Sequence, residues 1–500
     1  MKIKEIRLVG GDKILAADPA DVSCDINEKS ELTVTARHTE LRKIIIKTDV
    51  VFGEDTEILC DAFERGYGTL GWRERAGEVM PWYFMAKCGD KIRCFGVKTQ
   101  PNAICWWKIV GGSLYFVADI GAGGCGVRLG GRRLSVCTFV EREYSGSSYA
   151  AARKFCAEMC DSARGRGRSF YGGNDWYCCY GENSFDSVIS HTEKIAECAE
   201  GLKIRPYMTV DDGWQQCWSK DYNGGPWRRA NEKFGDMARL AEKIKEFDVL
   251  PGIWLRPLLT AEKYPAEYML SGREMTLDPS VPEVLGIIGG DIAEIKSWGY
   301  RLIKHDFTTF DIFGKWGFEF GEDFTDGLIF YDKKRTTAEI IKDMYRTIRR
   351  AAGEDIAIIG CNTLSHLSAG FFEIQRTGDD TSGTDFSRTR TMGVNSLAFR
   401  MPQHGSFYAA DADCVGITTK IDFAENKKWL DVLAKSGTPL FVSIEAVAYT
   451  DEVRKAVREA FRLASENTTP SEPLDWEQTE IPSLWQSAYG TDKYEWQVQK

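Results

Sequence analysis

The chain has no CxxC pair among its fifteen cysteines and no HxH pair among its five histidines. The spacings that most often announce structural zinc or a metal-dependent barrel are therefore absent, and neither a metal nor an organic cofactor is expected. No run approaches the ~18 consecutive apolar residues that cross a bilayer, so no membrane contact is expected. Basic residues form no stripe and the net charge is -10. A surface of that sign repels phosphate, which argues against nucleic acid as a partner. The first residues, Met1-Lys-Ile-Lys-Glu-Ile-Arg7, alternate charged and apolar side chains. That is the pattern of an edge strand and lacks the apolar core of a signal peptide. With an odd, scattered set of cysteines, reduced thiols and a cytoplasmic location are the expectation. Homo-oligomerisation stays open.

What the chain has in quantity is aromatic and apolar material: 43% hydrophobic residues, 12% aromatic residues and fifteen tryptophans over 500 residues. That is enough for more than one core. Up to about residue 146, short apolar runs are separated by Gly, Asp and Asn, as in Lys43-Ile-Ile-Ile-Lys47, Arg93–Lys98, Ser113–Ala118 and Ser135–Val140. This rhythm predicts an antiparallel β-sandwich, and a helix starting near Ser147 closes a domain over 1–165.

From about 170 the rhythm turns to strand then helix. Helix 186–200 lines up Val188, Ile195 and Ala199; helix 232–247 lines up Met237, Leu240, Ile244 and Phe247; helix 282–298, opened by Pro282, lines up Leu285, Ile288, Ile292 and Ile295. Between and beyond them the pattern predicts eight strands, at 176–179, 205–210, 251–255, 300–304, 356–360, 371–375, 396–400 and 439–442. Eight such units match an α/β architecture of the (β/α)8 TIM-barrel type over 166–445. Residues 446–500 read as a short C-terminal appendix, an amphipathic helix at 451–465 and a Pro-rich, Trp-containing tail packing on the barrel.

Gly121-Ala-Gly-Gly-Cys-Gly126 fits a dinucleotide fingerprint, but the following Val-Arg-Leu-Gly-Gly-Arg-Arg is no helix, so a sandwich turn is the reading. His404 is expected near the barrel mouth.

Acidic residues recur where predicted strands end, the place where barrel enzymes build their sites. Arg301-Leu-Ile-Lys-His-Asp306 ends in a carboxylate with Lys304 two positions earlier, on the same face of a strand. The ammonium would hold Asp306 ionised, as a nucleophile requires. Arg376-Thr-Gly-Asp379-Asp380 places two carboxylates side by side, and their repulsion should raise the pKa of one, the property of a proton donor. Arg376 can also bind a substrate hydroxyl. Asp211-Asp212-Gly-Trp214 offers two acceptors with a ring beside them. Carboxylates converging in this way suggest glycoside hydrolysis, which needs one acid for the leaving oxygen and a second carboxylate to attack or to activate water.

In order along the chain, Asp211-Asp212-Gly213-Trp214-Gln215, Pro251-Gly-Ile-Trp254, Lys304-His305-Asp306, Cys361-Asn362 and Arg376-Thr-Gly-Asp379-Asp380 resemble clan D glycoside hydrolases, the α-galactosidase families 27 and 36 with raffinose-synthase-like relatives. Asp411-Ala-Asp413-Cys-Val-Gly416 is also similar to a segment of that family. The resemblance spans roughly 170–445. It implies Asp306 as nucleophile and, by the four-residue step from Arg376, Asp380 over Asp379 as acid/base. It further implies that Asp211 and Asp212 bind the 4- and 6-hydroxyls of galactose, that Lys304 and Arg376 bind other hydroxyls, and that Trp176 or Tyr180 forms an aromatic platform. Arg256, in Leu255-Arg-Pro257, stands where relatives carry an acid and suggests a different aglycone or an anionic substrate group. Cys361-Asn362-Thr363 lacks the pattern that separates galactose from N-acetylgalactosamine. The expectation is a retaining exo-α-glycosidase acting on an oligosaccharide or glycoside, most of all an α-galactosidase, with the two carboxyl groups ~5–5.5 Å apart. An α-N-acetylgalactosaminidase, a galactosyl transglycosylase and a non-catalytic carbohydrate-binding barrel remain as alternatives.

Overall fold

The computed structural model describes residues 1–11, 13–15 and 20–496; residues 497–500 of the expected tail lie outside it. The N-terminal part is a sandwich of two antiparallel six-stranded sheets. One is centred on Lys43–Val51 between Ile3–Gly10 and Ser113–Asp119, the other on Arg133–Ser145 between Glu31–Ala36 and Lys91–Val97. Successive side chains of a strand face opposite ways, so Ile44 and Ile46 go inward while Lys43, Ile45 and Lys47 stay half-exposed. Phe84, Phe95, Trp107, Phe116 and Phe139 interlock where the two sheets face each other. Ile3–Gly10 is next to the edge rather than on it, because Lys13–Ile14 pairs outside it.

The second part is a parallel barrel. Its strands are Tyr171–Asn174, Tyr207–Val210, Leu250–Leu255, Leu302–His305, Ala357–Gly360, Ile374–Arg376, a seventh in two pieces, and Leu440–Ile444. The seventh strand's first piece, Ala409–Asp411, pairs with the sixth strand, and its second, Val415–Ile417, pairs with the eighth. Asp413 sits between the pieces in the left-handed region, φ 82°, and bends the chain so that the ring closes. Aspartate tolerates that conformation better than most residues.

Two of the eight expected strands are misplaced. Residues 176–179 form a helical turn, and the first strand is Tyr171–Asn174. Its Gly172-Gly173 pair carries no hydrophobic signal; a Cβ on Gly172 would lie 2.0 Å from the Tyr207 carbonyl oxygen. Residues 396–400 belong to the helix Asn395–Arg400. Their Leu, Ala and Arg suit a helix, whereas the true strand, Ala-Ala-Asp, has no β-branched or aromatic residue.

Helix Phe185–Cys198 opens with a capping box at Ser184, and helix Met237–Glu246 starts at the Asp236 cap, at the first residue of its apolar line and five residues after the expected start at 232. Helix Asp451–Glu466 packs against helices Phe423–Ser436 and Phe185–Cys198, in the place of the barrel's eighth helix. A three-stranded antiparallel sheet of Glu472–Pro473, Leu484–Ser487 and Gly490–Lys493 follows. Trp476 of this tail packs among Trp72, Tyr149 and Phe399, so the tail bridges sandwich and barrel. Among the described residues no helix is long and apolar enough to cross a membrane.

Among the contacts that fasten the sandwich to the barrel are two buried ones. The Gly121–Gly126 segment is a docking turn: Gly124 donates to the Leu328 carbonyl at 2.7 Å and Gly123 donates to the Thr337 hydroxyl at 2.9 Å. Gly123 has φ 64°, and a Cβ there would lie 2.4 Å from Leu328 O. The second fastening is a buried ion pair, Arg400 Nε to Asp61 Oδ1 at 2.8 Å, with Arg400 Nη2 also donating to the Glu64 carbonyl at 2.7 Å. Removing one partner of a buried pair leaves an uncompensated charge, which costs about 3–5 kcal/mol. Arg400→Met should therefore lower unfolding stability by that amount in a denaturant titration. A loss under about 1 kcal/mol would mean that the pair is not a structural tie.

Candidate active site

A cavity of about 370 Å³ opens at the C-terminal ends of the barrel strands. Asn174 reaches it from the end of the first strand and Trp176 from just beyond, Asp211 and Asp212 from the second, and Trp254 from the third. Lys304 and Asp306 come from the fourth strand, Arg376, Asp379 and Asp380 from the sixth, and Asp413 from the seventh. Parallel strands bring these positions together from over two hundred residues of sequence.

Asp306 lies just past its strand. Its Oδ1 accepts from the Phe307 amide at 2.7 Å and its Oδ2 from Trp254 Nε1 at 3.2 Å. Phe307 is left-handed, φ 60°, an uncommon conformation for an aromatic residue and one that aims its amide back at the carboxylate. Lys304 does not pair directly with Asp306 as its spacing suggested. Its Nζ lies 2.8 Å from Asp211 Oδ2, which also accepts from Asn174 Nδ2 at 2.6 Å. Burial opposes the charge of Lys304, but Asp211, Cys361 and Asp306 outweigh it and hold the ammonium well above the usual lysine range.

Asp212 accepts from Gln215 Nε2 at 2.7 Å. Burial pushes its carboxyl up to about 7 against the pull of Gln215, with Asp211 adding repulsion. A protonated Asp212 can donate as well as accept toward a hydroxyl.

The sixth-strand loop is laced with cations. Arg376 Nη2 lies 2.8 Å from Asp380 Oδ1 and 2.6 Å from Asp413 Oδ2. Arg65 Nη2 lies 3.2 Å from Asp379 and its Nη1 3.6 Å from Asp380, while Arg388 donates to Asp379 at 3.0 Å. Repulsion by Asp379 does not raise the Asp380 pKa, contrary to the sequence expectation. Burial does push it upward, but Arg376, Arg65, Lys304 and Arg388 together hold it below the ordinary aspartate value. The side chain is 43% exposed, and that exposure is into the cavity.

Several expected residues stand back from the cavity. Trp214 is fully buried, donates to the Trp254 carbonyl at 2.8 Å and acts as the packing under the third strand. Asn362 is buried; it donates to Glu64, and its Oδ1 accepts from the Phe310 amide at 2.9 Å. Tyr180 and Arg256 line an adjoining cavity of about 540 Å³, which shares Trp176, Asp212, Asn223 and Phe307 with the first. Arg256 is neutralised by Asp311, with Nε 3.0 Å from both carboxylate oxygens, and its guanidinium lies over Phe307. It is thus not free to bind an anionic substrate. His404 lines neither cavity; its Nδ1 accepts from the Ala410 amide at 3.1 Å.

Sequence reasoning missed Arg65, Tyr67, Asn174, Tyr177, Asn223, Phe307, Trp316, Phe318, Arg388 and, as a cavity residue, Asp413. Asp413 could have been found, since its segment was already similar to the family's. Arg65 and Tyr67 could not: they belong to a sandwich loop that docks on the acid-bearing loop, Gly66 donating to the Thr377 carbonyl at 2.7 Å and Asp379 donating to the Gly66 carbonyl at 2.9 Å. Glu64 beside them is fully buried and pushed up to about 7 by burial, against the pull of Arg65.

No protein-family model matches the sequence. Solved structures do match its fold. The α-galactosidase TtGalA from Thermus thermophilus, in complex with p-nitrophenyl α-D-galactopyranoside, is 15% identical, with 98% of each chain covered and a TM-score of 0.62. A GH36 α-galactosidase AgaA variant from Geobacillus stearothermophilus, in complex with 1-deoxygalactonojirimycin, is 12% identical over 97% of this chain and 77% of its own, with a TM-score of 0.62. The galactosidase domain of the α-galactosidase-sucrose kinase AgaSK is 14% identical over 97% and 75%, with a TM-score of 0.58. The chain therefore has the fold of GH36 α-galactosidases: an antiparallel sandwich followed by a (β/α)8 barrel.

Arg65 generates a test of the site's electrostatics. Arg65→Gln removes one of the cations that depress Asp380, so the Asp380 pKa should rise, and its carboxyl signal in a ¹³C NMR titration should move to higher pH. No movement would show that Arg65 takes no part in setting its charge.

Proposed function

We propose that the chain is a retaining exo-α-glycosidase, in the first place an α-galactosidase. The observation that carries this reading is that Asp306 and Asp380 border the same cavity in opposite settings. Asp306 is held by two neutral N–H donors, which fix its oxygens as suits attack on an anomeric carbon. Asp380 stands among arginines that orient it toward a leaving oxygen. In the first step Asp306 attacks the anomeric carbon and the glycosidic C–O bond breaks, the proton of Asp380 going to the departing oxygen. In the second step Asp380 takes a proton from water, which attacks the anomeric carbon and releases Asp306. Because cations favour the ionised form of Asp380, the supply of its proton improves as the pH falls toward the carboxylate range. Substrates with poor leaving groups depend on that supply most.

Asp211 and Asp212 are assigned to the 4- and 6-hydroxyls. Asp211 is fixed by Lys304 and Asn174, and Asp212 can serve as donor or acceptor. Trp176 is assigned as a wall shared by the sugar cavity and the adjoining one, which has room for an aglycone or for an acceptor sugar. The galactosyl transglycosylase reading draws on that same room. No residue of the fifth strand lines the cavity among the described residues. Cys361 and Asn362 thus supply no contact that would distinguish a 2-hydroxyl from a 2-acetamido group. GH36 neighbours bound to stachyose and raffinose support an oligosaccharide substrate.

An equatorial 4-hydroxyl would leave a buried carboxylate without a partner, at about 1–3 kcal/mol. Aryl α-galactosides should accordingly be cleaved with a kcat/KM at least ~10-fold above that for the matching α-glucosides. Equal rates on the two series would remove the galactose assignment, and no turnover of any α-glycoside would remove the enzyme reading.

A further inference from the structure

The turn Trp176–Cys179 faces two ways. Trp176 borders the sugar cavity, while Cys178 and Cys179 present adjacent thiols behind it. His191, on helix Phe185–Cys198, comes up against them. Cys178 Sγ lies 3.6 Å from Cys179 Sγ and 3.3 Å from His191 Nε2. One ligand atom from each of the three residues lies within 4.8 Å of the others, the one such Cys/His/acid group among the described residues. Zinc bonds of about 2.3 Å to sulfur and 2.0 Å to nitrogen in a tetrahedron set edges of roughly 3.8 Å between sulfurs and 3.5 Å between sulfur and nitrogen. The two separations already match those edges within a few tenths of an ångström.

We propose that Cys178, Cys179 and His191 form a site for a thiophilic divalent ion, Zn(II) in the first place, with one coordination position open. Neither cysteine is in a disulfide. Two thiolates and a neutral imidazole cancel the charge of a dication, so the filled site is neutral, as a half-buried location favours. On binding, both thiols release their protons to water, the ion sheds hydration waters, and nothing is oxidised or reduced. Thiolate ligands select zinc-like ions over magnesium or calcium. A ligating imidazole normally donates its other N–H to a carbonyl. His191 Nε2 lies 2.7 Å from the Ile444 carbonyl and its Nδ1 is buried without a partner, so ligation through Nε2 replaces its hydrogen bond to that carbonyl. Cys179 lines the adjoining cavity, which gives the ion a route in and the open position a water.

The sequence expectation of no metal rested on the missing CxxC and HxH spacings. Here the thiols are adjacent, and the third ligand comes from a different helix. A bound ion would pin the turn that carries Trp176, next to the sugar cavity.

The test is a titration of metal-free, reduced protein with Co(II), followed by Zn(II). One cobalt per chain should bind, with a thiolate-to-metal charge-transfer band that zinc abolishes. Cys178→Ser, Cys179→Ser and His191→Ala should each weaken binding at least ~10-fold. A Cys88→Ser/Cys217→Ser control, which removes the two exposed thiols elsewhere, should leave the band unchanged. Absence of the band in the wild type, its persistence in any folded single variant, or its loss in the control would overturn the proposal. Should one variant fail to fold, the other two still decide. The readout is cobalt absorption, so it is independent of whether the chain cleaves glycosides.

Discussion

Six carboxylates and four cations line one cavity, and the interleaving of the two sets is the constraint on which the rest of the site depends. Asp211 leans on Lys304, Asp413 and Asp380 on Arg376, and Asp379 on Arg65 and Arg388. Asp212 leans on the neutral groups of Gln215, Asn223 and the Gly213 backbone, and its carboxyl is the one of the six pushed up to about 7 by burial. Burial disfavours an isolated carboxylate, and a neighbouring cation restores it. The barrel supplies three of the four cations from its own strands and loops. Arg65 is the exception, which makes the sandwich a part of the site and explains the buried Asp61–Arg400 tie beneath its loop.

That division also marks how far the sequence could be read. Lys304, Asp306, Arg376 and Asp380 were legible because each sits at or just past the end of a short apolar run, and a strand's end fixes where its side chains arrive. A sandwich followed by a barrel was legible for the same reason, since period-two and helical patterning are local. Gly172-Gly173 and Ala409-Ala-Asp411 were not, because a strand made of the smallest residues has no hydrophobic signature. Arg65 and Asn362 were obscure for another reason. What they do depends on one loop meeting another some three hundred residues away, and no local pattern encodes that meeting. The same holds for Arg256, whose partner Asp311 decides that it is a support under Phe307 and not an anion receptor.

The sign of the Asp380 shift is the sharpest difference between the two levels. Adjacent aspartates repel, which by itself predicts a raised pKa. The folded protein sets four cations around them, and attraction wins. In the proposed mechanism, orientation and proton supply are therefore separate problems at this residue: the arginines would serve the first and make the second depend on pH. Fold similarity at 12–15% identity defines the scaffold, and the chemistry rests on this chain's own residues.

The central claim is that Asp306 is the attacking carboxylate. Asp306→Gly removes it with little loss of packing, since it lies beyond the last strand residue, His305, and faces the cavity. The decisive measurement is turnover of an activated aryl α-galactoside by this variant with and without azide. The account predicts loss of hydrolysis and partial recovery with azide, which fills the vacated space and yields the β-galactosyl azide. Hydrolysis within about tenfold of wild type, a difference of under roughly 1.4 kcal/mol in the barrier, or an α-configured azide product, would contradict it.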